Sequence, residues 1–287
     1  MLVFLKFKSS FMNTLNDLHT ISSTFSNTEK MPVLFLGHGS PMNAIEENQF
    51  VTGFRNIAKK LPKPNAILCI SAHWFTNGTK VTAMEMPRTI HDFGGFPQEL
   101  FDVEYSAQGS PELATLTQDL LLPTAVELDQ NWGLDHGAWS VIKHLYPEAD
   151  IPVIQMSIDY TKSGQYHFEL AQKLSALRSK GILIIGSGNI IHNLRMVDFR
   201  NISTENYGYD WAVEARADIN NYLLDGNFQP LINFEKQSKA FQLSIPTPEH
   251  YLPLIYTLGL KGKQEELNLF NDKLVGGSLS MTSVRIS

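Results

Sequence analysis

The sequence predicts a single α/β layered domain. Three observations carry that expectation: Val-, Ile- and Leu-rich runs of five to eight residues recur along the 287-residue chain, helical patterns lie between them, and no internal repeat or Pro-, Gly- or Ser-rich linker divides it. Runs this apolar read as strands buried on both faces, as in the interior of a largely parallel sheet with right-handed crossovers.

Taken in order, the first expected strand is 32–36 (PVLFL), followed by a helical pattern over 48–61. The second strand, 66–71 (AILCIS), carries the only cysteine, Cys69, which reads as a small buried hydrophobe without a disulfide partner. Helical patterns follow at 110–122 and 137–146, then a strand over 151–158 (IPVIQMSI), a helix over 163–180 and a strand over 182–186 (ILIIG). The last clear helix, 207–226, places Trp211, Val213, Ala215, Ala217, Ile219, Tyr222 and Leu223 at mixed helical spacing.

Composition excludes several classes. With 43% hydrophobic and 18% charged residues the chain is ordinary for a protein with a sizeable core, not a disordered or collagen-like one. A formal charge of -6 gives no electrostatic reason to bind nucleic acid. No apolar stretch approaches the roughly 18 residues of a membrane span, so no membrane partner is expected. The opening MLVFLKFKSSFMNTL is apolar, but it is short, broken by lysine and followed by no small-residue cleavage site, so it does not read as a secretory signal. Met12 and Met31 are alternative starts, and residues 1–30 are expected to form a non-catalytic extension. A lone cysteine fits a reducing, cytoplasmic location.

Ligands in α/β sheets bind beyond the carboxyl ends of the strands, and three expected strand ends carry a histidine. His38 lies between two glycines in Leu36-Gly37-His38-Gly39-Ser40, His73 follows Ile70-Ser71-Ala72, and His192 follows the glycine-bracketed exit Gly186-Ser187-Gly188-Asn189. His136 in Leu134-Asp135-His136-Gly137 precedes a helix, and His250 stands in the proline-flanked Thr247-Pro248-Glu249-His250-Tyr251. Imidazole suits Zn, Fe and Cu, so three or four of these histidines could converge on one ion. The alternative is that each is a hydrogen-bonded structural residue. His19, His144 and His167 lie in helix-like or terminal segments and read as surface or structural. Competing chemistries find no footing: no Gly-x-Ser-x-Gly elbow is present, Gly186-Ser187-Gly188 lacks the third dinucleotide-binding glycine because position 191 is Ile, and Cys69 has no local basic partner.

Five stretches together, namely Gly37-His38-Gly39-Ser40-Pro41-Met42, Ser71-Ala72-His73-Trp74, His91-Asp92-Phe93-Gly94-Gly95-Phe96-Pro97, Leu134-Asp135-His136-Gly137 and Gly186 to Leu194, resemble the class III extradiol dioxygenases, in particular their DOPA type. The resemblance runs in the family's order from about residue 31 to the C-terminus, making 31–287 one catalytic domain. It implies a three-layer α/β/α fold with a central, mostly parallel mixed sheet, one divalent metal (Zn(II) or non-haem Fe(II)), O2 as co-substrate and a small catecholic substrate, with no obligate protein partner. By motif, His38 and His73 take the positions of two ligands. The third ligand of the wider family is a glutamate, whereas the DOPA type has a histidine, here His250, with Glu249 a less apt substitute. His192 takes the acid/base position and can also serve as a fourth ligand. His136 matches a histidine that contacts substrate oxygens or assists proton transfer, and His91 lines the substrate pocket or structures its loop. A zinc hydrolase using a metal-bound water, or a non-catalytic metal-binding homologue, would need the same histidines.

Overall fold

The structure is a computed structural model describing residues 25–287. The signal-peptide reading, Met12 and His19 lie outside the described residues. Its strands are β1 (Val33–Gly37), β2 (Ala66–Thr76), β3 (Thr79–Thr82), β4 (Val126–Asp129), β5 (Val153–Asp159), β6 (Ile182–Gly188), β7 (Leu267–Phe270), β8 (Leu274–Val275), β9 (Leu279–Ser280) and β10 (Ser283–Ile286). The principal helices are α1 (Gln49–Ala58), α2 (Pro111–Leu120), α3 (His136–Leu145), α4 (Gly164–Lys173), α5 (Asp210–Leu224), α6 (Lys239–Ser244) and α7 (Leu252–Gly259).

Eight strands form one sheet in the order β4-β3-β5-β2-β6-β1-β10-β7. Its centre, β5-β2-β6-β1, is parallel throughout, while β10 and β7 add antiparallel at one edge and β3 meets β5 antiparallel near the other. The expected mostly parallel mixed sheet is therefore the one found. Side-chain alternation builds the two outer layers, because successive residues of a strand point to opposite faces. Val33, Phe35, Leu68, Ile70, Ile182 and Ile184 pack with α2, α4, α5 and α7 on one side. Leu34, Leu36, Ile67, Cys69, Leu183 and Ile185 pack with α1 and α3 on the other.

The expected boundaries move by up to three residues, and two elements differ more. The 163–180 helix is α4 followed by a short turn of helix at Ser175–Arg178. β2 continues beyond residue 71 to Thr76, through an irregularity between Ile70 and Phe75 where its register against β5 shifts. His73 therefore sits inside a distorted strand, where a bulge re-aims side chains. The register aligns the strand ends, since Gly37 pairs with Gly188 and Ser71 with Ser187. His38, His73 and the turn leading to His192 thus leave three adjacent strands at one end of the sheet. Residues 28–31 pack back on the core: Thr28 and Met31 donate to the carbonyls of Ser179 and Arg178. The Arg178 guanidinium is fully buried and bonds to the carbonyls of Met31 and Leu260 and to Glu265. Among the described residues no helix is long and apolar enough to cross a membrane.

Candidate metal centre

Five histidines converge at that sheet end. His38, at the exit of β1, is buried, and its Nδ1 lies 3.1 Å from the Ser187 hydroxyl in β6. Ser187 gives its single hydrogen to the Gly137 carbonyl, so toward His38 it can only accept. The proton of His38 therefore sits on Nδ1, and the Nε2 lone pair faces inward, an assignment made from the network. His73 Nδ1 lies 3.3 Å from Asp92 Oδ2, a charge contact, and its Nε2 is 3.3 Å from His38 Nε2. Two lone pairs facing each other at that separation repel unless a proton or cation lies between them.

His250 completes a triangle. Its Nδ1 lies 3.3 Å from Glu249 Oε1, which leaves Nε2 as its free lone pair. The ring centroids of His38, His73 and His250 are separated by 5.1, 5.3 and 5.0 Å, and the planes are steeply inclined to one another. Three imidazoles on the face of a tetrahedron, each bonded at roughly 2.0–2.1 Å, have nitrogens about 3.3 Å apart and centroids about 5.2 Å apart. The centroid spacing matches three imidazoles around a small divalent ion.

The close approach of His250 depends on two glycines of β6. A Cβ on Gly188 would lie 2.1 Å from the His250 carbonyl oxygen, and one on Gly186 would lie 2.4 Å from the Pro253 carbonyl oxygen. With hydrogen at both positions the turn before α7 lies flush on the strand, and the Asn189 N–H donates to the His250 carbonyl at 2.9 Å. The Gly-Ser-Gly segment thus serves two partners, since its glycines admit His250 and its serine orients His38.

The other two histidines stand differently. His136 opens α3, whose N-cap is Asp135, and its Nδ1 lies 3.0 Å from Asp92 Oδ1. Its ring is 3.8 Å from His73 but 5.8 Å from His38, so it lacks the threefold spacing of the triangle. Donor atoms of His38, His73 and His136 nevertheless lie within 4.8 Å of one another, as do those of His192, Glu249 and His250. The His192 ring stacks on His250 at 3.6 Å and 14°. The in-plane lone pairs of these nearly parallel rings run side by side.

Burial lowers the pKa of His38, His73, His192 and His250. His38 and His250 fall well below the usual imidazole value, through burial first and then the neighbouring histidines. His73 is lowered by burial and by His136, and burial brings His192 down to about 4. Neutral imidazole is the form that binds metal or accepts a proton.

Residues 32–283 match the family described as the catalytic LigB subunit of aromatic ring-opening dioxygenase. The chain belongs to the LigB family. It is of the class III extradiol, DOPA type. It is 47% identical over 270 residues to the 4,5-DOPA dioxygenase extradiol of Escherichia coli, spanning 93% of this chain and 98% of that one. To the 4,5-DOPA dioxygenase extradiol of Beta vulgaris it is 37% identical over 261 residues, covering 88% and 95%. A crystal structure of an uncharacterized protein from Escherichia coli K12 superposes with a TM-score of 0.76 at 43% identity, covering 90% of this chain and all of the other.

Of the remaining sequence candidates, His91 stands apart from the cluster. Its Nε2 lies 2.9 Å from the Val103 carbonyl, and its ring packs on Phe93, Phe101 and Trp139. His144 and His167 are buried and structural, the first bonded to the Asn43 carbonyl and the second to the Tyr256 hydroxyl. Sequence reasoning missed the side chains set against the rings, Asp92 and Ser187, and the fully buried Asp135, which accepts from Ser71, Gln155 and the Ala138 N–H. Asp92 and Ser187 stood inside quoted motifs, but nothing local indicated which ring each would meet.

Proposed function

We propose that the chain is an extradiol dioxygenase that opens the ring of a small catechol such as DOPA with O2, and that residues 31–287 carry the activity while 1–30 do not. The observation that carries the reading is the near-equilateral triangle of His38, His73 and His250 in a member of a ring-opening family. These three are the proposed metal ligands. A neutral three-histidine set lacks the negative ligand of the 2-His-1-carboxylate triad, and this favours Zn(II) for affinity while Fe(II) is needed for oxygen chemistry. When bound, the ion supplies a Lewis acid for both catechol hydroxyl oxygens and a path for electrons from ring to O2.

His192 is proposed as the acid/base and not as a ligand, which its stacked orientation on His250 supports. Held neutral by burial, it accepts a phenolic proton and returns it to oxygen later in the cycle. His136, at the N-terminus of a ten-residue helix, orients the substrate oxygens where the helix dipole favours developing negative charge. Burial of Cys69 as a free thiol supports a reducing, cytoplasmic setting.

The test is anaerobic metal removal, reconstitution with Fe(II) or Zn(II), and a catechol panel followed by oxygen electrode and by the yellow colour of the ring-opened semialdehyde. Iron-dependent oxygen uptake with DOPA or another catechol is expected. No uptake with any catechol sinks the dioxygenase reading, and zinc-dependent hydrolysis without oxygen would replace it.

A further inference from the structure

We propose that Asp92 is a positioning residue which, through one carboxylate, fixes the tautomer and aim of both the metal-ligand histidine His73 and the proton-handling histidine His136. The inference rests on the reading of the histidine site given above and extends it to a residue outside the metal's reach.

The loop that carries Asp92 is built to hold it. The Ile90 N–H donates to the Leu134 carbonyl and the Leu134 N–H to the Arg88 carbonyl, so residues 88–90 run along the strand-like approach to α3. Trp139 Nε1 donates to the Ile90 carbonyl at 2.9 Å, and His91 ties the loop to Val103. Between these anchors the Asp92 side chain points inward and is only 19% exposed. Its two oxygens then divide the work. Oδ1 accepts the His136 backbone N–H at 2.8 Å and lies 3.0 Å from His136 Nδ1, while Oδ2 lies 3.3 Å from His73 Nδ1. Neither Nδ1 is aligned on the carboxylate as a hydrogen bond, and that of His136 has no hydrogen-bond partner, but a lone pair on Nδ1 at 3.0–3.3 Å would repel the carboxylate, so hydrogen on Nδ1, with the Nε2 lone pairs turned toward the centre, is the tautomer that Asp92 favours in both rings. The two rings sit 3.8 Å apart, so a shift of Asp92 moves both together. The His-Asp pair of the motif thereby has a division of labour: His91 pins the loop and Asp92 reaches the site.

Asparagine is the discriminating substitution. Its one oxygen is retained by the His136 backbone N–H, and its NH2 then faces His73 Nδ1, which must become an acceptor and move its hydrogen to the nitrogen that faces the metal. In Zn(II)-loaded protein, chelator competition is expected to show D92N binding zinc 10- to 100-fold more weakly than wild type, with D92E recovering much of that loss and the melting of all three alike. Long-range 15N–1H correlation of the zinc-loaded wild type, with H73N and H136N for assignment, is expected to place the hydrogen on Nδ1 of both rings. Wild-type zinc affinity in D92N, or hydrogen on Nε2 of either ring in the wild type, overturns the proposal even if D92N folds poorly. Unchanged zinc affinity in H73A would instead overturn the metal site itself.

Discussion

Replacing Gly188 by alanine tests whether flush packing on β6 sets the metal site. The new Cβ would stand 2.1 Å from the His250 carbonyl oxygen, 3.0 Å from its carbonyl carbon and 3.3 Å from Pro253 Cγ. Real Cβ contacts begin at about 3.0 Å, so the His250 peptide must withdraw by about 1 Å, and since the clashing atoms are backbone no rotamer change relieves it. The Asn189 N–H bond to that carbonyl, now 2.9 Å, lengthens beyond hydrogen-bonding range. Overpacking of this kind costs roughly 1–3 kcal/mol of stability, and a 1 Å displacement of a ligand costs on the order of 100-fold in turnover. Gly188 needs no left-handed backbone, so the penalty is steric alone. The assay is metal content after dialysis, zinc affinity by chelator competition, catechol turnover of the iron form, and a urea midpoint. G94A is the control, because a Cβ there meets nothing within 4 Å. A folded G188A with wild-type metal affinity and turnover would refute the reasoning and leave His250 without its proposed place.

Other outcomes follow from the same contacts. H192N is expected to retain its metal and lose 100- to 10,000-fold in kcat with little change in KM; loss of metal on dialysis would show His192 to be a ligand instead. Arg178 is fully buried against Glu265; R178M leaves that carboxylate with Lys30 and the Gly262 N–H but strips the Met31 and Leu260 carbonyls of their donors, so calorimetry should show a loss of roughly 2–4 kcal/mol, lowering Tm by about 10 °C; an unchanged Tm would argue that the guanidinium is dispensable. Burial lowers the pKa of His167 from 6.5 to about 4. The unfolded chain therefore takes up a proton that the folded one refuses as pH falls from about 6.5 toward 4, and stability is lost through that window. Between pH 7 and pH 5 the wild type should lose about 2 kcal/mol more than H167Q by urea titration, and parallel curves would remove His167 from the account.

The central strands were legible because β1, β2, β5 and β6 are covered on both faces and so must be apolar along their length. The flanking strands were not. β3 (TKVT), β4 (VELD), β7 (LNLF) and β10 (SVRI) are short and mixed in polarity, and their pairing is decided by neighbours far along the chain. The helix α7 (LPLIYTLG) was missed for the opposite reason: it is buried on every side, so no amphipathic period marks it.

The site divides along the same line. Sequence by itself determined the layered fold, the placement of His38 at the end of a central strand, and the family motifs that hold His73, His136 and His192, because a strand exit is a local property of the chain; that β2 runs on past His73 to Thr76 was not legible. Tertiary structure alone decided that His250 closes the triangle, that His192 stacks beside it, that His91 turns away to its loop, and that Asp92 and Ser187 lie against the rings. Those outcomes depend on which backbones approach within contact distance. That approach is permitted by the missing side chains of Gly186 and Gly188 and fixed by hydrogen bonds spanning tens to hundreds of residues.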